Sequence, residues 1–176
     1  MSEAAARRYR VGDAVLVNDR MQQRYRYRLT APEGREFAAD FQPFYTPKEM
    51  LALGVFEGKY CNDCRGELPA DWYVGAKLSA VADPSVNYFQ VKSRQPLSVW
   101  REKGWIIGPD PRGWFQWYCR YYLGRRLPEV DALQIKRWRA FRRHAAQVRA
   151  HCDPGDWTCR PRQRQALLQW SYDPLI

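Results

Sequence analysis

Histidine is scarce in this chain, carboxylates are outnumbered, and long apolar runs are missing. With only His144 and His151 present, a histidine-based catalytic triad has little material to work with. No run of about 18 apolar residues occurs, which excludes a membrane-spanning helix. The opening MSEAAARRYRVGDAV carries early arginines without a continuous apolar stretch behind them, so no secretory signal is read there. The expectation is a cytoplasmic chain whose five cysteines are reduced. At 176 residues it is long enough to bury a substantial core in one domain without metal or disulfide support.

The carboxylate deficit is unevenly placed. Residues 1–90 balance 12 Lys/Arg against 12 Asp/Glu, whereas residues 91–176 carry 17 against 7. The whole formal charge of +10 therefore resides in the C-terminal half. Basic charge on this scale concentrates polyanions, and nucleic acid is the commonest of these. Anionic membrane surfaces and acidic proteins are the alternatives. Arginine supplies most of the excess, and its planar fork suits phosphate and lies on aromatic faces.

VGDAVLV and RYRYRL alternate or cluster apolar residues as short strands do. Residues 1–45 are accordingly read as an N-terminal arm or hairpin, with Arg7, Arg8 and Arg10 at its start. Residues 46–176 are read as a helical basic domain. Thr46, Pro47 and Glu49 spell a capping box that opens a short helix, and Gly54 stops it. Residues 55–77 are too rich in Gly and Asx for a long element, and VNYFQVKS (86–93) reads as a strand. Four more helices are expected, from about Pro96 to Gly104, Pro111 to Gly124, Pro128 to Cys152 and Pro161 to Tyr172. The fold class is mostly α with a small β component (α+β), a single compact domain of about five helices.

Two helices draw attention. GWFQWYCRYYLGRR (113–126) is apolar nearly all round, so most of its rings are expected in the core, with Arg120, Arg125 and Arg126 carrying charge at and beyond its end. In the helix after Pro128, Ile135, Trp138, Phe141, Ala145, Val148 and Cys152 form one apolar stripe. Lys136, Arg137, Arg139, Arg142, Arg143 and Arg149 occupy much of the rest, and no Asp or Glu occurs between residues 134 and 152. Such a helix forgoes the opposite-sign pairs that would support it, which favours a phosphate-contacting face. Arg160, Arg162 and Arg164 add charge at a helix start. The nucleic-acid-binding candidates are Arg120, Arg125, Arg126, Lys136, Arg137, Arg139, Arg143, Arg160 and Arg162.

MLALGVFEGKY, PADWY, GWFQWYCRYYLGRR, QIKRW and RPRQRQALLQW together resemble a family of hypothetical proteins from bacteria, fungi and plants that share a GWFQWYCR-type signature. The resemblance spans about residues 46–173 and implies a common fold there. It brings no activity, cofactor or site residue with it, and residues 1–45 lie outside it.

Cys61 and Cys64 form a C-x-x-C pair, and with Cys152 and Cys159 they make a four-ligand zinc site arithmetically available. The six residues between Cys152 and Cys159 are wide for a ligand pair, and Cys152 continues an apolar stripe, so neither metal nor cofactor is expected. GVFEGKY lacks the spacing of a phosphate-binding P-loop. Any chemistry is expected in GVFEGKYCNDCRGELPADW, where Glu57, Asp63, Glu67 and Asp71 cluster among glycines. Asp63 is the expected carboxylate, with Tyr60 and Asn62 beside an extruded base. The functional expectation is a monomeric nucleic-acid-binding protein, DNA before RNA, with glycosylase-like base processing as its enzymatic form. The alternatives are an enzyme acting on a small phosphorylated substrate and a module that meets an acidic protein.

Overall fold

Alternating burial along residues 14–28 builds a two-stranded hairpin. In the computed structural model, which describes residues 8–176, β1 (Ala14–Val17) pairs antiparallel with β2 (Tyr25–Arg28). Val15, Val17 and Tyr27 point into the core while Leu16, Arg26 and Arg28 stay exposed, the period of a half-buried sheet. Arg7 and the rest of the expected arm before residue 8 lie outside the described residues. Hairpin residues and residues of the helical part share one apolar cluster, in which Val15, Val17 and Tyr27 join Met50, Trp117 and Ile135.

Six α-helices follow: α1 (Pro47–Leu53), α2 (Leu97–Glu102), α3 (Trp114–Leu123), α4 (Pro128–Ala140), α5 (Arg142–His151) and α6 (Pro161–Gln169). The chain is mostly α with a small β component, as expected. The capping box at α1 is complete: Glu49 N–H donates to Thr46 Oγ1 at 3.2 Å, and Thr46 N–H to Glu49 Oε2 at 2.7 Å.

Two expectations need correction. The helix expected from Pro128 to Cys152 divides at Phe141, where the bonding tightens to i→i+3: Phe141 N–H reaches Trp138 O, and His144 N–H reaches Phe141 O. Neither Pro nor Gly marks the spot. The break lies between two cores. Ile135 and Trp138 enter the main cluster, whereas Ala145 and Val148 pack with Leu167 in a second one. The strand expected at 86–93 does not form, because no neighbouring strand offers a ladder. Its amides find single partners instead, Tyr88 N–H at Gly54 O and Phe89 N–H at Gln165 Oε1.

α3 runs through the centre and buries nine of its ten residues. Phe41 meets the rings of Trp114, Trp117, Tyr118, Tyr121 and Trp138 at centroid distances of 5.1–6.5 Å. At the end of α3, Gly124 takes φ 120°, and a Cβ there would collide with the Ala31 carbonyl. That close approach lets the Thr30 and Ala31 amides both donate to Gly124 O.

Inside this aromatic core lies a four-charge network. Arg120 donates from Nε and Nη2 to the two oxygens of Glu67, at 2.7 and 3.2 Å, and from Nη1 to Asp110 at 2.8 Å. Arg125 grips both oxygens of Asp110, at 2.8 and 2.6 Å. The hairpin joins through Gln22 on Arg120, Tyr25 on Arg125 and Tyr27 on Glu67. Burial works against the Arg120 charge, but the hydrogen bond and charge of Glu67 outweigh it and raise its pKa. Two cations and two anions balance, and all four residues are buried.

Cys152 and Cys159 form a disulfide, so the expectation of five free thiols does not hold. Arg164 grips the loop they close, donating to Cys159 O at 2.7 Å and Asp156 O at 3.1 Å. Cys61, Cys64 and Cys119 are free and buried.

The network generates a stability prediction. Asp110→Asn leaves two buried guanidinium groups short of charge and is expected to cost about 3–5 kcal/mol in chemical denaturation. Asp40→Asn, at the exposed Arg139–Asp40 pair, changes stability by less than about 1 kcal/mol. Equal losses at the two positions would refute the assignment.

Candidate functional site

A cleft of about 390 Å³ lies between α2, α3, the α4–α5 junction and α6. Three groups of rings line it. Phe56, Tyr60 and Phe115 form a triangle with centroids 4.6–5.2 Å apart. Trp114, Trp170 and Phe141 form a continuous stack, each step 4.7 Å at interplanar angles of 26° and 12°. Trp100 and Trp105, in and just after α2, supply the third group, and Trp105 is 37% exposed.

The first group depends on a strained turn. Phe56, Glu57 and Gly58 all adopt left-handed backbone, with φ of 51°, 59° and 71°. For the two non-glycine residues this costs on the order of 1–3 kcal/mol each, so surrounding bonds must hold them. Two buried glutamines of α6, one turn apart, do so. Gln169 Oε1 accepts from Phe56 N–H at 3.0 Å, and its amide donates to Ser93 O at 3.0 Å. Gln165 donates to Gly54 O and to Gln169 Oε1, while its own oxygen accepts from Phe89 N–H. Asn87 completes the clamp by accepting from Glu57 N–H at 2.7 Å.

Charge around the cleft is of one sign. Arg94, Arg137 and Arg143 line it, and no carboxylate among the described residues does. Arg94 reaches Glu57, a buried residue whose second oxygen has no hydrogen-bond partner. Arg143 is exposed without an ion pair among the described residues. Arg137 is half-buried, and burial depresses its pKa. Its Nη1 donates to Trp105 O at 2.8 Å and Gln134 Oε1 at 3.0 Å, and its Cζ lies 5.4 Å from the Trp170 ring.

The remaining expected cations divide into two sets. Lys136, Arg160 and Arg162 are exposed. The last two border the cleft through their neighbours: Ser93, a lining residue, donates to Arg162 O, and Arg160 donates to Gln163, which reaches His144 at 3.3 Å. Arg139 is exposed and paired with Asp40 at 2.7 Å. Arg120 and Arg125, expected at a phosphate-contacting surface, are instead buried in the four-charge network, since a guanidinium inside a ring-filled helix needs acid partners to exist there. Arg126 donates to the carbonyls of Arg35, Glu36, Tyr121 and Arg125 and lies 3.7 Å over the Tyr121 ring, which makes it a cap on α3.

The three residues expected to carry chemistry are each engaged by other groups of the chain. Asp63 is held by both terminal nitrogens of Arg112 at 2.9 Å. Burial pushes its carboxyl up, but the Arg112 bond and charge prevail and lower its pKa, the reverse of a poised general base. Asn62 donates to the carbonyls of Gly58 and Ser79. Tyr60 lends its ring to the cleft, while its hydroxyl donates to Arg112 O. Asp19, Cys64 and Glu67 bring donor atoms within 4.8 Å of one another, but Arg112 and Arg120 already neutralise the two carboxylates.

No family model, no curated protein and no solved structure matches this chain.

Among the cleft residues, His144 titrates in an accessible range. Burial, then the Arg143 charge, hold its pKa below the ordinary 6.5. Between the two values the unfolded chain binds the extra proton, so this residue costs stability as pH falls through 6.5. The imidazole Cε1–H resonance is expected to titrate below 6.5 and to move upward when an anion occupies the cleft. A midpoint above 6.5 in the free protein would contradict the placement.

Proposed function

We propose that this chain binds nucleic acid through exposed cations in and near the aromatic cleft. One observation carries the reading: rings and unpaired cations share a cleft that no carboxylate lines. Lys136, Arg143, Arg160 and Arg162 supply phosphate contacts from α4, α5 and the start of α6. The rings supply stacking surface, which any base satisfies. Binding rather than catalysis is proposed, since Asp63 and Asn62 lie away from the cleft and are committed to other partners. The concave shape also suits a small anionic ring compound, and its volume falls within the range of small-molecule sites.

Anisotropy titrations of labelled oligonucleotides over a salt series test the reading. Affinity should fall with rising salt at about 0.7 logarithmic units per phosphate contact on a single strand. The double variant Lys136→Gln, Arg143→Gln should flatten that slope by roughly 1.4 while melting as the parent does. Absence of binding at low salt, or a slope the variant leaves untouched, would overturn the proposal. Saturable binding of mononucleotides alone would favour the small-ligand reading instead.

A further inference from the structure

We infer that the cleft receives a single unstacked base of a single-stranded nucleic acid, with Arg137 on the adjoining phosphate. The inference rests on the nucleic-acid reading above and adds what enters the cleft. Four features of the site carry it.

The first is the sign of the charge. Aromatic cages that hold ammonium groups rely on ring faces without competing cations. Here three guanidinium groups line the rings. Of these, Arg137 and Arg143 have no carboxylate partner among the described residues while Arg94 meets Glu57, an excess that repels a cation and suits a ring attached to a phosphate.

The second is the state of Arg137. The other well-buried arginines are met more fully: Arg120 and Arg125 by the carboxylates of Glu67 and Asp110, although Arg125 Nε has no partner, and Arg164 by the carbonyls of Asp156, Cys159, Pro174 and Ile176. Arg137 has no carboxylate, and only its Nη1 is engaged, by two neutral acceptors. Its charge is desolvated without an opposing charge, an arrangement that an arriving phosphate would relieve. Trp105 O and Gln134 fix the guanidinium beside the stack instead of leaving it to sweep through solvent.

The third is the ring geometry. Trp114, Trp170 and Phe141 are already stacked, while Trp105 stays partly exposed at the same cleft. A base that joins them exchanges its neighbours in the strand for protein rings. The fourth is size. About 390 Å³ accommodates one nucleotide, and a base within a duplex has both faces covered and its edge paired, so it cannot enter.

The test compares four ligands with the full chain at one low salt concentration: a single-stranded 12-mer, the same 12-mer with abasic residues at its central positions, the matching duplex, and a mononucleotide. The intact strand is expected to bind about tenfold or more tightly than the abasic strand or the duplex. Trp105→Ala, at a partly exposed ring, should bring the intact strand close to the abasic level without further weakening the abasic strand, whereas Arg137→Gln, whose phosphate both strands keep, should weaken the two alike. Equal affinity for intact and abasic strands, with salt-dependent binding retained, would overturn this inference and leave the nucleic-acid reading standing. Failure of every oligonucleotide to bind would end both. Because the abasic substitution lies on the ligand, the comparison is made on the parent chain and stands whether or not a variant folds.

Discussion

The structure depends on a balanced knot of charge in an aromatic interior. Arg120 sits on a helix with six rings among its other nine residues, and it can exist there only because Glu67 and Asp110 meet its guanidinium from two separate loops. Arg125 then closes the knot on Asp110, and tyrosines and a glutamine of the hairpin segment add further hydrogen bonds. Stability is not the main product of such a knot, since an apolar replacement of similar shape can match it. What it supplies here is placement. The hairpin, the loop holding Glu67 and the loop holding Asp110 have no regular ladder between them, and the charges lock their positions relative to α3.

From α3 outward the same logic repeats with neutral groups. Phe115 and Trp114 reach the cleft from the start of that helix, so whatever fixes α3 fixes two of the cleft's ring groups. Phe56, beside Phe115 in the first group, is fixed by Gln165 and Gln169, whose amides hold a left-handed turn that no local preference would maintain. Strain in the turn and the one-sign charge beside it occur together at the cleft. Away from the cleft the Arg112 bridge to Asp19 and Asp63 matches charge with charge.

Elements with a local physical cause were legible in the sequence. Alternation in AVLV and YRYR predicts the hairpin, the Thr46–Glu49 box predicts α1, and the all-round apolar character of 114–123 predicts a buried helix. Gln165 and Gln169 left only a faint signal, two amides one turn apart beside buried leucines, and it points to a clamp only once their distant partners are known. Arg120 and Arg125 were misplaced because their acid partners are 10 to 53 positions away, too far for spacing to reveal. The strand at 86–93 failed for the same reason: alternation describes a face, but only a neighbour can supply a ladder. Lys136, Arg137 and Arg143 were legible as a one-sign helix stretch, whereas the cleft that the last two line is assembled from residues between 56 and 170 and has no linear trace.

The most direct measurement is a two-dimensional spectrum of the tryptophan indole N–H groups, recorded as a single-stranded oligonucleotide is added. The chain holds eight tryptophans, of which Trp100, Trp105, Trp114 and Trp170 line the cleft. Trp72 and Trp117 lie buried elsewhere, the latter with its indole on Asp131. The account predicts that the four cleft resonances move together and saturate while those of Trp72 and Trp117 stay in place. Saturable binding that leaves the cleft resonances unmoved would contradict it.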